Sequence, residues 1–218
     1  LAMMAALGRR VAAAYPTARL VIGFAETATA IGGIVAEEIS PSCTYIQTTR
    51  EKPADVSRWI EFMEEHSHAP EQRLAADALE EALARTDTVV FVDDELSTGR
   101  TLCNIIVQMR AALPALREKK LVAASLLNRL TEADTARLRA HGAESIALLH
   151  LPEGDYEARA AGIAAHAPEV CAPEGAIPCR RLVLPSCRTP RTGVTIGDYM
   201  VHWREEGHRL AASLPWGA

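Results

Sequence analysis

One run constrains this chain more than any other: Thr88-Val89-Val90-Phe91-Val92-Asp93-Asp94-Glu95-Leu96-Ser97-Thr98-Gly99-Arg100-Thr101. Residues 88–92 are apolar on both alternating faces, as a central strand covered by helices on two sides requires. After the acids, Leu102, Ile105, Ile106, Met109 and Leu113 recur at spacings of three and four, which predicts a helix beginning near Gly99. A buried strand that ends in carboxylates and turns through small residues into a helix belongs to an open α/β sheet, where ligands sit at the carboxyl ends of strands.

The surrounding pattern agrees. Further strands are expected at 19–24, 44–48, 121–128 and 145–150, with helical stripes at Ile31, Ile34, Val35 and Ile39 and at Leu74, Ala78, Leu79 and Leu83. Thr131, with Asp134 three residues on, has the form of a capping box. The fold class that follows is α/β: a Rossmann-like, open, mainly parallel sheet flanked by helices over residues 1–150. Between 48 and 71 lies a charged insertion anchored only by Val56, Trp59, Ile60, Phe62 and Met63, which is expected to form a hood or lid. From 151 to 218 periodicity weakens and proline rises, so an irregular C-terminal extension is expected, leading toward a downstream domain. Because the first residue is Leu, the chain is expected to be a fragment.

Composition excludes several classes. No run approaches the ~18 apolar residues of a membrane span, and the Ala-rich start carries Arg9 and Arg10 inside an amphipathic pattern, so neither a membrane partner nor a signal peptide is expected. A net charge of −5 argues against a nucleic-acid partner, so an anionic ligand has to be held locally. Five cysteines without Cys-x-x-Cys spacing suggest reduced thiols in a cytoplasmic protein, with no disulfide framework or zinc site.

The loop chemistry points to a sugar phosphate. Ser97, Thr98 and Thr101 supply hydroxyls, Gly99 permits close approach, and the helix N-terminus favours an anion. Asp93 and Asp94 would repel a phosphate but accept hydrogen bonds from sugar hydroxyls, directly or through Mg²⁺. The segment resembles the binding motif for 5-phosphoribosyl-1-pyrophosphate (PRPP) of type I phosphoribosyltransferases. That resemblance implies that Asp93 and Asp94 hold the ribose diol while Ser97, Thr98, Gly99, Arg100 and Thr101 cradle the 5-phosphate. Glu95, a third acid, and Arg100, in place of a small residue, depart from the usual pattern.

A second constellation, Gly23-Phe24-Ala25-Glu26-Thr27-Ala28-Thr29, again follows a strand and opens a helix. It stands where these transferases keep a pyrophosphate loop, so the resemblance makes the amides of Ala25, Glu26, Thr27 and Ala28 its pyrophosphate donors. Glu26 is expected either to cap the helix or to meet Mg²⁺ through water. In the insertion, Thr48, Thr49, Arg50, Glu51 and Lys52 follow a strand; Arg50 could clamp a phosphate bidentately and Lys52 add a mobile charge, or both could be a solvated strand end. Glu64-Glu65-His66-Ser67-His68 places two histidines beside two acids, a cluster that could bind metal, titrate near neutrality, shape a polar acceptor pocket or simply be an exposed loop.

These four motifs, in this order, resemble the phosphoribosyltransferase-like family of tellurium-resistance and related stress operons, whose members often carry a following TRSP domain. The resemblance implies transfer of phosphoribose from PRPP, with Mg²⁺, to a nitrogenous acceptor, pyrophosphate leaving, in the making of a nucleoside-like metabolite. Thr48, Thr49, Glu65, His66, Ser67 and His68 would face the acceptor, and a homodimer is the usual assembly. The rival reading is a non-catalytic PRPP-binding regulatory or RNA-binding protein, for which a charge of −5 supplies no basic surface.

Overall fold

The computed structural model describes residues 1–62, 72–151, 154, 161–162, 183 and 187–213. Its centre is β5 (Thr88–Leu96), whose residues alternate between two hydrophobic clusters: Val89 and Phe91 enter one, Val90 and Val92 the other. A strand buried on both faces has to lie mid-sheet. It pairs in parallel with β1 (Leu20–Gly23) and β6 (Lys120–Asn128); β2 (Thr44–Gln47) and β7 (Ala143–His150) extend the sheet outward. An antiparallel β8 (Val194–Thr195) closes the β2 edge, giving the order β7-β6-β5-β1-β2-β8. The expected α/β class and mainly parallel sheet are what the structure shows.

Helices cover both faces. On one, α1 (Ala2–Ala14) and α2 (Thr29–Ile39) bring Leu7, Val11, Ile31 and Val35 onto Val21, Tyr45 and Val122. On the other, α3 (Ala76–Ala84), α4 (Arg100–Ala112) and α5 (Glu132–Ala140) bring Leu79, Leu83, Ile106, Met109 and Leu138 onto Leu20, Ile22 and Leu121. The capping box at the start of α5 is formed: Asp134 N–H donates to Thr131 Oγ1 at 3.1 Å, and Thr131 N–H donates back to the Asp134 carboxylate at 3.2 Å.

Three expectations change. Leu74 is not on α3; it lies on β4 (Gln72–Ala75), which pairs antiparallel with β3 (Trp59–Phe62), Ile60 opposite Leu74. Ile60, Phe62 and Leu74 are buried in the α4-side cluster, so the base of the insertion is core, while residues 63–71 lie outside the described residues. The C-terminal extension is not irregular throughout: after a 3₁₀ turn (Pro190–Thr192), β8 joins the sheet and α6 (Ile196–Ser213) follows. Residues 1–151 and 188–213 form one compact unit, and 152–187 fall to a second. Among the described residues no helix is long and apolar enough to cross a membrane.

Close packing of α2 on the sheet depends on Gly32. A Cβ there would lie 2.8 Å from the Tyr45 ring and 3.1 Å from Gly23 Cα, so the helix approaches within reach only of a residue without a side chain. Gly32→Ala is expected to destabilise the fold by about 1–3 kcal/mol through overpacking, read as a lower urea midpoint with an unchanged slope.

Candidate active site

β1 and β5 are neighbours, Gly23 opposite Val92, but the chain proceeds from β1 to β2 on one side and from β5 to β6 on the other. Such a reversal opens a crevice outside the carboxyl ends of the two strands. Both sequence motifs empty into it. Phe24 N–H donates to Val92 O at 3.0 Å, and Thr27 Oγ1 donates to the Asp94 carboxylate at 3.0 Å, joining the loop after β1 to the acids of β5.

The acids stand on the strand itself, which runs to Leu96 and not only to Asp93. Alternation then turns Asp93 and Glu95 to one face and Asp94 to the other. Asp94 N–H donates to Asp93 Oδ1 at 2.9 Å, and Arg129 pairs with Glu95 at 2.9 Å. Burial pushes the Asp93 carboxyl up to about 7, and the neighbouring Asp94 and Glu95 charges push the same way.

The loop that follows is shaped for an anion. Gly99, at φ 67, turns the chain into α4 as its N-cap and brings no capping side chain; of the first-turn amides, Arg100 N–H donates to Thr98 Oγ1 at 3.4 Å. The uncapped amides therefore face outward with the positive end of the helix. Arg137 of α5 donates to Thr98 O at 3.4 Å and pairs with Asp134 at 2.9 Å, so the capping box also braces this loop. Ser97, Thr98, Gly99, Arg100 and Thr101 line a cavity of about 220 Å³ together with Asp93 and Glu95 of the strand and Ala25 of the opposite loop.

The loop after β1 is more committed than its sequence suggests. Ala25 N–H donates to Thr48 Oγ1 at 2.7 Å and Ala28 N–H to Phe24 O at 3.1 Å, so the four expected amide donors narrow to those of Glu26 and Thr27. The Ala25–Glu26 peptide is cis. Glu26 does not cap α2, which has no side-chain cap; instead its carbonyl accepts from Thr29 Oγ1 at 3.0 Å.

The Thr48 hydroxyl also donates to Gln72 Oε1, whose amide reaches Ala25 O at 3.1 Å. Thr48 and Thr49 are both buried, Thr48 is tied to the loop, and both contribute to the wall of a second cavity. Thr49 Oγ1 accepts from Glu51 N–H at 3.0 Å. Lys52 pairs with Glu61 at 2.8 Å, the solvated strand-end arrangement. That contact holds the Glu61 carboxyl below its ordinary value. Glu65, His66, Ser67 and His68 lie outside the described residues.

Arg50 is exposed and lines this second cavity, of about 310 Å³, with Ala25, Glu26, Thr48, Glu51 and Arg191. Gln72 and Arg191 are the residues that sequence reasoning missed. Neither sits in a recognisable motif: one enters on β4, the other on the 3₁₀ turn that precedes β8.

A model of the family described as "Phosphoribosyl transferase" matches residues 1–154. The chain belongs to the phosphoribosyltransferase family. Membership makes it a phosphoribosyltransferase, an enzyme that transfers a phosphoribosyl group. No curated protein matches it. Solved structures similar to it include an adenine phosphoribosyltransferase from Giardia lamblia complexed with 9-deazaadenine (19% identity, 70% of this chain and 80% of that one, TM-score 0.49). Another is an orotate phosphoribosyltransferase from Aeropyrum pernix (17% identity, 67% and 71%, TM-score 0.42).

The raised Asp93 pKa has a stability consequence with a definite sign. The native state holds this proton up to about pH 7, whereas an unfolded Asp releases it near pH ~4, so native stability falls as pH rises between those values. Asp93→Asn removes the titration. Its melting temperature should exceed that of the wild type at pH 8 by more than at pH 4; an equal offset at both would show that Asp93 ionises normally.

Proposed function

We propose that this phosphoribosyltransferase binds PRPP across the β1/β5 crevice, with Asp93 and Asp94 on the ribose diol and residues 97–101 on the 5-phosphate. The observation that carries this reading is the Thr27–Asp94 hydrogen bond, which ties a loop with two unengaged amides to an acid pair beside a second anion-shaped loop. Acids between two anion sites suit a molecule with phosphates at both ends and hydroxyls in the middle.

In this reading the bond from ribose C1 to the pyrophosphate oxygen breaks, and the electron pair leaves with pyrophosphate. An acceptor nitrogen forms the new bond to C1, and its proton passes to solvent or base. Positive charge on the ribose ring is transient, so rate comes from positioning and fixed charge rather than from a covalent nucleophile. The amides of Glu26 and Thr27, with Arg50 near them, would hold the leaving group.

The donor set also fits Mg²⁺. Among the described residues no group of three or more His, Cys, Asp or Glu is placed to hold a metal ion, so Mg²⁺ would be held mainly by PRPP itself, with Asp93, Asp94 or Glu26 as single hard-oxygen donors. When bound, Mg²⁺ would offset charge on the leaving pyrophosphate.

Placement in the tellurium-resistance and stress-operon branch is supported by the order of the four motifs, and with it a nucleoside-like product, a following TRSP domain and a homodimer. The free thiols of Cys43, Cys103 and Cys187 support a cytoplasmic setting.

Calorimetry with PRPP and Mg²⁺ tests the donor site. Micromolar binding is expected, weakened by about a hundredfold or more in Asp93→Asn/Asp94→Asn, since each acid makes charge-assisted hydrogen bonds of roughly 1.5–3 kcal/mol. Pyrophosphate release should then appear with at least one nucleobase of a screened panel. A folded wild-type protein that leaves PRPP unbound would sink the reading.

A further inference from the structure

The second cavity sits on the far side of the Ala25–Glu26 loop from the cavity that residues 97–101 line; the two share Ala25 alone. Its walls bring together Arg50, at the end of β2, and Arg191, from a segment more than a hundred residues later in the chain. Arg191 has a fixed place. Its neighbours Pro190 and Thr192 are buried, β8 pairs Val194 with Tyr45, and Gly193, at φ 80, packs so that a Cβ would lie 2.8 Å from Ala78 Cβ.

Among the described residues Arg191 is held there by one loose ion pair, 3.4 Å from Glu51, with both partners open to solvent. Such a pair is weak and readily exchanged for a better anion. Glu26 and Glu51 balance Arg50 and Arg191 on this wall, so the cavity has little net charge until a polyanion draws both guanidinium groups to it. The amides of Glu26 and Thr27 lie on the same loop and make no hydrogen bond among the described residues.

We propose that Arg191 is a pyrophosphate-binding residue: with Arg50 it clamps the diphosphate end of the substrate, and Glu51 is the latch that holds it between turnovers. This rests on the PRPP reading above and adds to it a residue from the C-terminal segment. A guanidinium fork can meet two oxygens of one phosphate, which a lysine point charge cannot. The C-terminal segment thereby acquires a chemical role in addition to closing the sheet edge.

The test is calorimetric titration of Mg²⁺-pyrophosphate, and separately of ribose 5-phosphate, into wild type, Arg191→Ala, Arg191→Lys and Glu51→Gln. Arg191→Ala should weaken pyrophosphate by about tenfold to a hundredfold, the range of a charge-assisted hydrogen bond, and leave ribose 5-phosphate within about twofold. Arg191→Lys should recover part of the loss, and Glu51→Gln should tighten pyrophosphate about threefold by removing the competing carboxylate. An Arg191→Ala protein that melts like the wild type and binds pyrophosphate equally well would overturn the assignment. If that variant does not fold, Glu51→Gln decides, and unchanged or weaker pyrophosphate binding refutes the latch. Wild-type protein that binds neither ribose 5-phosphate nor PRPP refutes the PRPP reading itself, whereas binding of both with an insensitive Arg191 refutes only the clamp.

Discussion

Parallel pairing of β1 with β5 is the constraint on which the rest of this structure depends. The two strands are far apart in sequence, and their register, Gly23 opposite Val92, makes both end at the same height. Any side chain or amide in the loops that follow is then within reach of the other loop, and Thr27 and Asp94 use that proximity directly. A slip of the register by one residue would turn Val90 and Val92 toward the wrong cluster, so the apolar pattern that builds the core also aligns the two loops. Core and site are therefore one problem in this fold, solved by the same alternation.

The site works against the core at one place. β5 continues past its apolar residues, carrying Asp93 to an environment that disfavours its charge. Three acids in a row at the end of a buried strand repel one another and lose hydration, a cost that packing elsewhere has to offset. Arg129 relieves one of them through Glu95, and Thr27 solvates another through Asp94. Asp93 is left with a single backbone donor, the N–H of Asp94, among its hydrogen bonds. A sugar diol, bringing two hydroxyl donors, is the kind of ligand that would complete it.

Much of this was legible in sequence because it is local or periodic. The strand T-V-V-F-V, the stripe of α4 and the capping box of Thr131 and Asp134 each need only a few neighbouring residues, and each formed. What was not legible comes from pairing at long range. β3 and β4 are four residues each and separated by a charged stretch, so Leu74 reads as the start of a helix when it is in fact a strand residue facing Ile60. β8 has two residues, too few for alternation to register, and its place on the β2 edge is set by Ile196 N–H donating to Cys43 O at 2.9 Å. Gln72 rides on β4 and Arg191 on the turn before β8, and both inherit that invisibility. Thr48 carries a part that its residue type does not announce: its hydroxyl accepts from Ala25 N–H and donates to Gln72, which fixes the loop after β1.

The chain as a whole carries a charge of −5, yet its substrate is a polyanion. Positive potential must therefore be built locally, and the fold builds it from parts that leave net charge nearly untouched. The helix N-terminus after Gly99 supplies amides and a dipole, and the loop after β1 supplies two more amides. Full charges are added at both ends: Arg100 lines the cavity with residues 97–101, and Arg50 and Arg191 line the second cavity with Glu26 and Glu51. Backbone amides carry no formal charge and are fixed by the fold, so they can hold a phosphate without altering the net charge. Arginines on a solvent-facing wall can exchange partners, so they suit the group that has to arrive with the substrate and depart alone. In the proposed reading the phosphate that is retained on ribose meets the loop at 97–101, whereas the two that are released meet fixed amides of Glu26 and Thr27 supplemented by exchangeable arginines, an asymmetry that follows that of the reaction.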